Sequence, residues 1–252
     1  MEVLVCIKRV PATGGRVVLT DDARAIDTKS LGFTVSPHEE CAVEETVRLI
    51  EQHGGSSVVL TLGPESAEEQ LRDALAFGVD RGILLESDEA WGPVATAEAI
   101  AVAIVEQETP FDLLLFGNEA ADTADHQVGI RVAQALDLPC VTGVKHVEVS
   151  DGCAIARREG AEGTEVFEVE LPAVLTVREG INVPRYPSIP GRIKAKKKEV
   201  ARIPVERPRE GVESLMLVLP PQRSSNVEVL GTGPDAAAAV VDLLFELKLV
   251  SP

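Results

Sequence analysis

The chain has 252 residues, of which 45% are hydrophobic and only 3% aromatic, and it carries a formal charge of −17. That length suffices for one sizeable α/β core with an appendage, and so few aromatic residues leave the core to Val, Leu, Ile and Ala, as suits a parallel sheet covered by helices. The acidic balance argues against nucleic acid or an anionic membrane as partner, and the longest apolar runs are strand-sized, too short to span a bilayer.

Residues 2–8 open directly on a strand-like run, without the charged and apolar regions of a signal peptide, which leads us to expect a cytoplasmic prokaryotic protein. Within it, residues 3–7 are continuously apolar and β-branched, the pattern of a strand buried on both faces. Pro11 is expected to end this strand, leaving Lys8 and Arg9 in a loop at its carboxyl end. A hairpin pattern surrounds Arg16 to Leu19. Ser36 then supplies an N-cap, Pro37 the first helical position and Glu39 the acid of a capping box. The helix they start runs to His53, where Gly54 and Gly55 stop it.

The rhythm repeats with strands at 57–62, 82–86 and 112–116, and helices at 66–77, 94–107 and 126–136. Strand alternating with helix predicts a doubly wound, mostly parallel α/β sheet of the Rossmann kind. From Cys140 the pattern changes to short strands with glycine turns at 141–149, 153–158 and 165–171. These read as an antiparallel extension, and a last strand at 173–177 re-enters the sheet. Cys6, Cys41, Cys140 and Cys153 are widely separated, so they read as buried thiols and suggest neither a disulfide framework nor a metal site.

Residues 178–198 gather three prolines, the only tyrosine and seven basic residues into an otherwise acidic chain. Pro184, Pro187 and Pro190 fix φ and remove backbone donors, so Tyr186 and Ile189 are expected on an irregular surface loop beside the cationic run that includes Lys194 and Lys197. On composition alone this is either a docking device or a Pro-rich linker with a solvated basic face. Beyond it, 203–208 is extended, 214–219 apolar and Pro220 to Arg223 a rigid turn. Residues 234–249 form an amphipathic helix with Val240, Leu243, Leu244 and Leu247 on one face. The expected division is an α/β domain over 1–205 and an arm over 206–252 that packs on a partner.

Ligands of open parallel sheets bind outside the carboxyl ends of the strands. The segment from Gly117 to Gly129, small and polar and leading into a helix, offers backbone amides and a helix N-terminus to a phosphate; alternatively, Asp122 and Asp125 are plain N-caps. The acidic pairs Glu39-Glu40 and Glu44-Glu45 read as solvated faces of a helix. The sequence has no G-x-G-x-x-G, P-loop, H-E-x-x-H or Ser/His/Asp arrangement, so no catalytic residues are expected.

Val183-Pro-Arg-Tyr-Pro-Ser-Ile-Pro190 followed by Ile193-Lys-Ala-Lys-Lys-Lys198 resembles the recognition loop of electron transfer flavoprotein beta subunits. Further matches at Lys8-Arg9-Val10, Ala42-Val-Glu-Glu45, Leu75 to Gly82 and Leu171 to Thr176 extend the resemblance over residues 1–205. It implies an adenine nucleotide alpha hydrolase-like fold and a heterodimer with an alpha subunit that binds most of the FAD. It also implies a structural AMP, electron donors such as acyl-CoA dehydrogenases, and a quinone oxidoreductase as acceptor.

Carried over by position, the nucleotide site comprises Cys6, Ser36, Pro37, His38, Glu39, Leu62, Gly117, Ala120, Asp122, Thr123, Ala124, Asp125, His126, Gln127 and Val128. Dehydrogenase docking falls to Tyr186, Ile189, Lys194 and Lys197, and contact with the mobile flavin domain to Glu159. His126 stands where other members carry Asn or Ala, and Val128 replaces a Thr. An electron-bifurcating relative, with a second FAD in place of AMP and NADH as donor, is the alternative, although 121–128 lacks the Asp-Gly-Asp-Thr-Ala-Gln-Val form common there. A stand-alone nucleotide-binding stress or signalling protein is the reading from another class.

Overall fold

A computed structural model describes residues 1–12, 14, 17–208, 216–221 and 227–250. Arg16, residues 214–215, Gln222 and Arg223 lie outside the described residues, so the expectations that rest on them are not tested there. The chain forms two compact units, Met1–Leu215 and Met216–Pro252.

In the first unit the strands are Glu2–Cys6 (β1), Val10–Pro11 (β2), Phe33–Thr34 (β3), Ser56–Gly63 (β4), Arg81–Glu86 (β5), Leu113–Gly117 (β6), Cys140–Ser150 (β7), Cys153–Gly160 (β8), Gly163–Glu170 (β9), Ala173–Val177 (β10) and Val200–Pro204 (β11). The helices are Pro37–His53 (α1), Glu68–Phe77 (α2), Pro93–Val105 (α3), Val128–Ala135 (α4) and Ile189–Ala195 (α5). Nine strands make one sheet in the order β11-β5-β4-β1-β6-β10-β7-β8-β9. Pairing is parallel from β11 to β7 and antiparallel from β7 through β9. The doubly wound sheet with an antiparallel extension is therefore the observed architecture, and β10 does re-enter it, between β6 and β7.

The central strands are apolar on both faces because helices cover both. Val3, Val5, Val59, Leu113, Leu115 and Leu175 pack with α1 and α2, while the alternate residues Leu4, Leu60, Ile83, Leu114, Phe116 and Val174 pack with α3 and α4. Successive strands β1, β4 and β5 step one way across the sheet; α3 then carries the chain back to β6 on the other side of β1. This reversal leaves a crevice beyond the carboxyl ends of β1 and β6, where a doubly wound sheet takes its ligand.

Three local expectations are corrected. Pro11 does not simply end β1: with Val10 it pairs antiparallel to β3, where an edge position needs no proline donor. Ile189 is not on irregular loop but opens α5, because Ser188 caps the Gly191 amide at 3.1 Å and Pro190 sits in the first turn, where its missing N–H costs nothing. Of the four cysteines, only Cys6 and Cys41 are buried; Cys140 and Cys153 are half-buried.

In the second unit, Pro234–Ala236 is a 3₁₀ turn that leads into helix Ala237–Glu246 (α6). The apolar side chains Val240, Leu243, Phe245 and Leu247 are partly or largely exposed. Among the described residues no helix is long and apolar enough to cross a membrane.

Candidate functional site

The crevice at the reversal point is a cleft of about 340 Å³, and most of the residues expected at a ligand site line it. Cys6 and Lys8 come from the end of β1, Leu62 and Pro64 from the end of β4, and Trp91 and Pro93 from the connection of β5 to α3. Gly117, Ala120, Asp122, Thr123, Asp125, His126, Gln127 and Val128 contribute the loop from β6 into α4. Ser36, Pro37, His38 and Ala124 do not line it; Ser36 and His38 stand behind the loop as its support, and Pro37 is exposed at the start of α1.

That support begins at the capping box expected from the sequence. The Ser36 hydroxyl accepts from the Glu39 amide at 3.2 Å, and the Glu39 carboxylate accepts from the Ser36 amide at 2.9 Å. The same Ser36 hydroxyl donates to the Glu119 carbonyl at 3.0 Å, which ties the start of α1 to the loop after β6. His38 Nδ1 accepts from the Glu179 amide at 2.8 Å, so the neutral ring carries its proton on Nε2 and donates to Glu119 Oε1 at 3.2 Å. His126 Nε2 reaches the other oxygen of Glu119 at 2.7 Å. One carboxylate is thus held by two histidines from different elements. His38 is not the loose surface histidine its place at a helix start suggests.

The loop itself is tightly wound. Ala124 and His126 both adopt left-handed backbone, with φ of 48° and 50°, a conformation that non-glycine residues keep only when their surroundings enforce it. Asp122 accepts from Lys8 Nζ at 2.7 Å, and Asp125 accepts from the Thr123 hydroxyl at 3.1 Å. Neither caps α4, whose N-cap is Gln127 with no side-chain capping bond. The first amides of α4 therefore lack helical partners, and Gln127, Val128 and Gly129 at its start line the cleft. The Gln127 carboxamide oxygen accepts from Arg131, which leaves its NH₂ to donate.

Glu39 is 6% exposed, against the expectation of a solvated face, and burial raises its carboxyl from the ordinary 4.5 to about 8. Burial, with help from the neighbouring Glu39, also pushes the Cys6 thiol up, so Cys6 is an apolar wall rather than a nucleophile. Glu44 and Glu45 are buried as well, because partners arrive from the far end of the chain: Arg185 bonds Glu44, and the Asn182 side chain donates to Glu45 at 2.8 Å. Gly117 is required where it packs on α1, since a Cβ there would lie 2.5 Å from Glu39 Cγ. Arg9 stacks over the Phe33 ring at 3.1 Å, and its Nε is buried without a partner at the cleft wall.

The β1 and β6 side of the cleft is thus polar, with Lys8, Asn118, Asp122, Asp125 and the start of α4, while the β4 and β5 side carries the apolar Leu62, Pro64, Trp91 and Pro93 together with Glu89. Lys8 and Arg9 belong to the cleft by geometry, although the positional resemblance does not include them. Trp91 carried a sequence signal only as the lone tryptophan. Among the described residues no cluster of His, Cys, Asp and Glu could hold a metal ion.

On another surface the residues expected to dock a partner stand out. Tyr186 is 97% and Ile189 77% exposed, and Lys194 and Lys197 are exposed beside them. Lys198 is not part of that free cationic face: its ammonium donates to the carbonyls of Leu75, Gly78 and Val79, closing the end of α2. Glu159 is exposed on β8 and lines neither the cleft nor this surface.

The electron transfer flavoprotein domain matches residues 24–208. The chain is 32% identical to the electron transfer flavoprotein subunit beta of Bacillus subtilis, over 99% of this chain and 100% of that one. It is 38% identical to the protein of that name from Syntrophomonas wolfei, over 91% of this chain and 90% of that one. It is also 36% identical to the caffeyl-CoA reductase-Etf complex subunit CarD of Acetobacterium woodii, over 76% of this chain and 73% of that one. The chain belongs to the electron transfer flavoprotein beta-subunit family, a family of electron carriers.

Proposed function

We propose that this chain is the beta subunit of a heterodimeric electron transfer flavoprotein. It pairs with an alpha subunit that carries the redox FAD, holds AMP in the cleft at the carboxyl ends of β1, β4 and β6, and presents residues 182–198 to a flavin dehydrogenase. The observation that carries this reading is the two-ended cleft. On the β1 and β6 side, Lys8, held by Asp122, stands with the loop that leads into the start of α4, donors of the kind a phosphate uses. The apolar side suits a nucleobase. FAD supplies the electron-transfer chemistry when bound; this chain's residues bind, orient and dock.

The docking assignment rests on exposure with rigidity. Tyr186 and Ile189 project from a segment fixed by prolines and by Arg185, Asn182 and Ser188, so little ordering entropy remains to be lost on contact. The exposed apolar face of α6 is assigned to the alpha subunit. Glu159, exposed on the antiparallel extension, is assigned to contact with the alpha subunit's flavin domain. The electrons pass on to a quinone oxidoreductase, in the cytoplasm of a prokaryotic cell.

A second reading, electron bifurcation with FAD in the cleft and NADH as donor, is favoured by the likeness to CarD. The first is favoured by residues 121–128, which lack the Asp-Gly-Asp-Thr-Ala-Gln-Val form common in bifurcating members. Membership of the family sets aside the stand-alone stress or signalling protein. The test is co-expression with the alpha subunit and mixing with an acyl-CoA dehydrogenase and its substrate. Reduction of the heterodimer's flavin supports the reading, and reduction by NADH alone supports the second.

A further inference from the structure

We propose that Trp91 is the stacking wall for the nucleobase in the cleft, and so sets its preference for a base over a bare sugar phosphate. This rests on the nucleotide reading above. Trp91 is the only tryptophan of the chain, it is half-buried, and it lines the cleft. Both of its attachments hold the indole in place. Its Nε1 donates to the Ser87 hydroxyl at 3.0 Å, while the Ser87 amide donates to the Gly63 carbonyl at 3.0 Å, so the ring is tied to the ends of β4 and β5 together. On the other side Gly92 is the N-cap of α3 and Pro93 its first residue, which fixes the backbone that leaves Trp91.

The indole N–H is thereby satisfied and its rings are left as apolar surface beside Leu62, Pro64 and Pro93. This wall comes from the β4 and β5 side of the cleft. Lys8 and the start of α4 come from the β1 and β6 side, and Lys8 is held there by Asp122. A ligand with a phosphate at the second side and a flat heteroaromatic at the first spans the cleft. Stacking on an aromatic side chain discriminates for a base of any kind, because every base has a π face.

The test uses the full chain co-purified with its alpha subunit and depleted of nucleotide, titrated with AMP and with ribose 5-phosphate. Trp91→Phe should bind AMP within a few-fold of wild type, whereas Trp91→Leu and Trp91→Ala should bind it roughly tenfold to a hundredfold more weakly. Ribose 5-phosphate should bind all four proteins alike. The emission of wild type minus that of Trp91→Phe isolates this indole, and AMP, but not ribose 5-phosphate, should quench it; this readout needs no destabilising substitution. AMP binding equal in all variants with no emission change would overturn the stacking role and leave the nucleotide site standing. Failure of the wild-type heterodimer to bind AMP at all would overturn both.

Discussion

Arg185 grips the buried carboxylate of Glu44 with two guanidinium nitrogens, Nε and Nη2, each at 2.9 Å, and its amide donates to the same group at 3.1 Å. Glu51 takes the remaining Nη1 at 2.6 Å. Because the Glu44 side chain is only 5% exposed and Arg185 36% exposed, the pair is dry at one end and wet at the other. Arg185→Ala leaves a buried acid unpaired and should destabilise by about 1 to 3 kcal/mol, less than a fully buried pair because Arg185 is partly solvated. Urea denaturation measures it, and Arg185→Ala with Glu44→Gln should recover part of the loss. A loss under about 0.3 kcal/mol would mean that the clamp is ornamental.

That clamp marks where sequence reading runs out. The alternation of strand and helix, the capping box at Ser36 and Glu39, and the cleft-lining stretch from Gly117 to Val128 were legible because each is local. The burial of Glu44 and Glu45 was not, since their partners lie 141 and 137 residues away and look like ordinary surface cations and amides in the sequence. Lys198 misled for the same reason: in a run of lysines nothing distinguishes the one that turns back to close α2. Read as breakers, the three prolines predict irregular chain at Ile189, yet a serine cap followed by an early proline starts a helix there.

Glu39 predicts a pH dependence. Its carboxyl lies at about 8 in the folded protein and near the ordinary 4.5 in the unfolded chain. Between these values the folded state holds a proton that the unfolded state has released, so this group's contribution to stability is full below 4.5 and falls as pH rises toward 8. Glu39→Gln should flatten thermal stability over that window and exceed wild type above it. An unchanged slope in the variant would assign the dependence to other groups.

Gly129 sits in the first turn of α4, where a Cβ would lie 2.9 Å from Thr176 and 3.2 Å from the Phe116 ring. Gly129→Ala should cost about 1 to 2 kcal/mol despite the better helix propensity of alanine, and Gly129→Val more, with loss of bound nucleotide as the start of α4 moves. A stabilised alanine variant in urea would show that α4 gives way freely.

Ile189 is 77% exposed and contributes nothing to the core. Ile189→Ala should therefore leave melting temperature and heterodimer yield unchanged while raising the apparent KM for the dehydrogenase about tenfold or more, as losing roughly 1.5 to 3 kcal/mol of side-chain burial requires. Steady-state flavin reduction at varied dehydrogenase measures it. Charge reversal at Lys194 and Lys197 should act through the association rate and fade with salt.

The cleft as a mononucleotide site is decided most directly by acid extraction of the co-purified heterodimer and chromatography of the released nucleotides. One FAD and one AMP per heterodimer is the predicted result, with the AMP lost in Lys8→Glu. Two FAD and no AMP would contradict it.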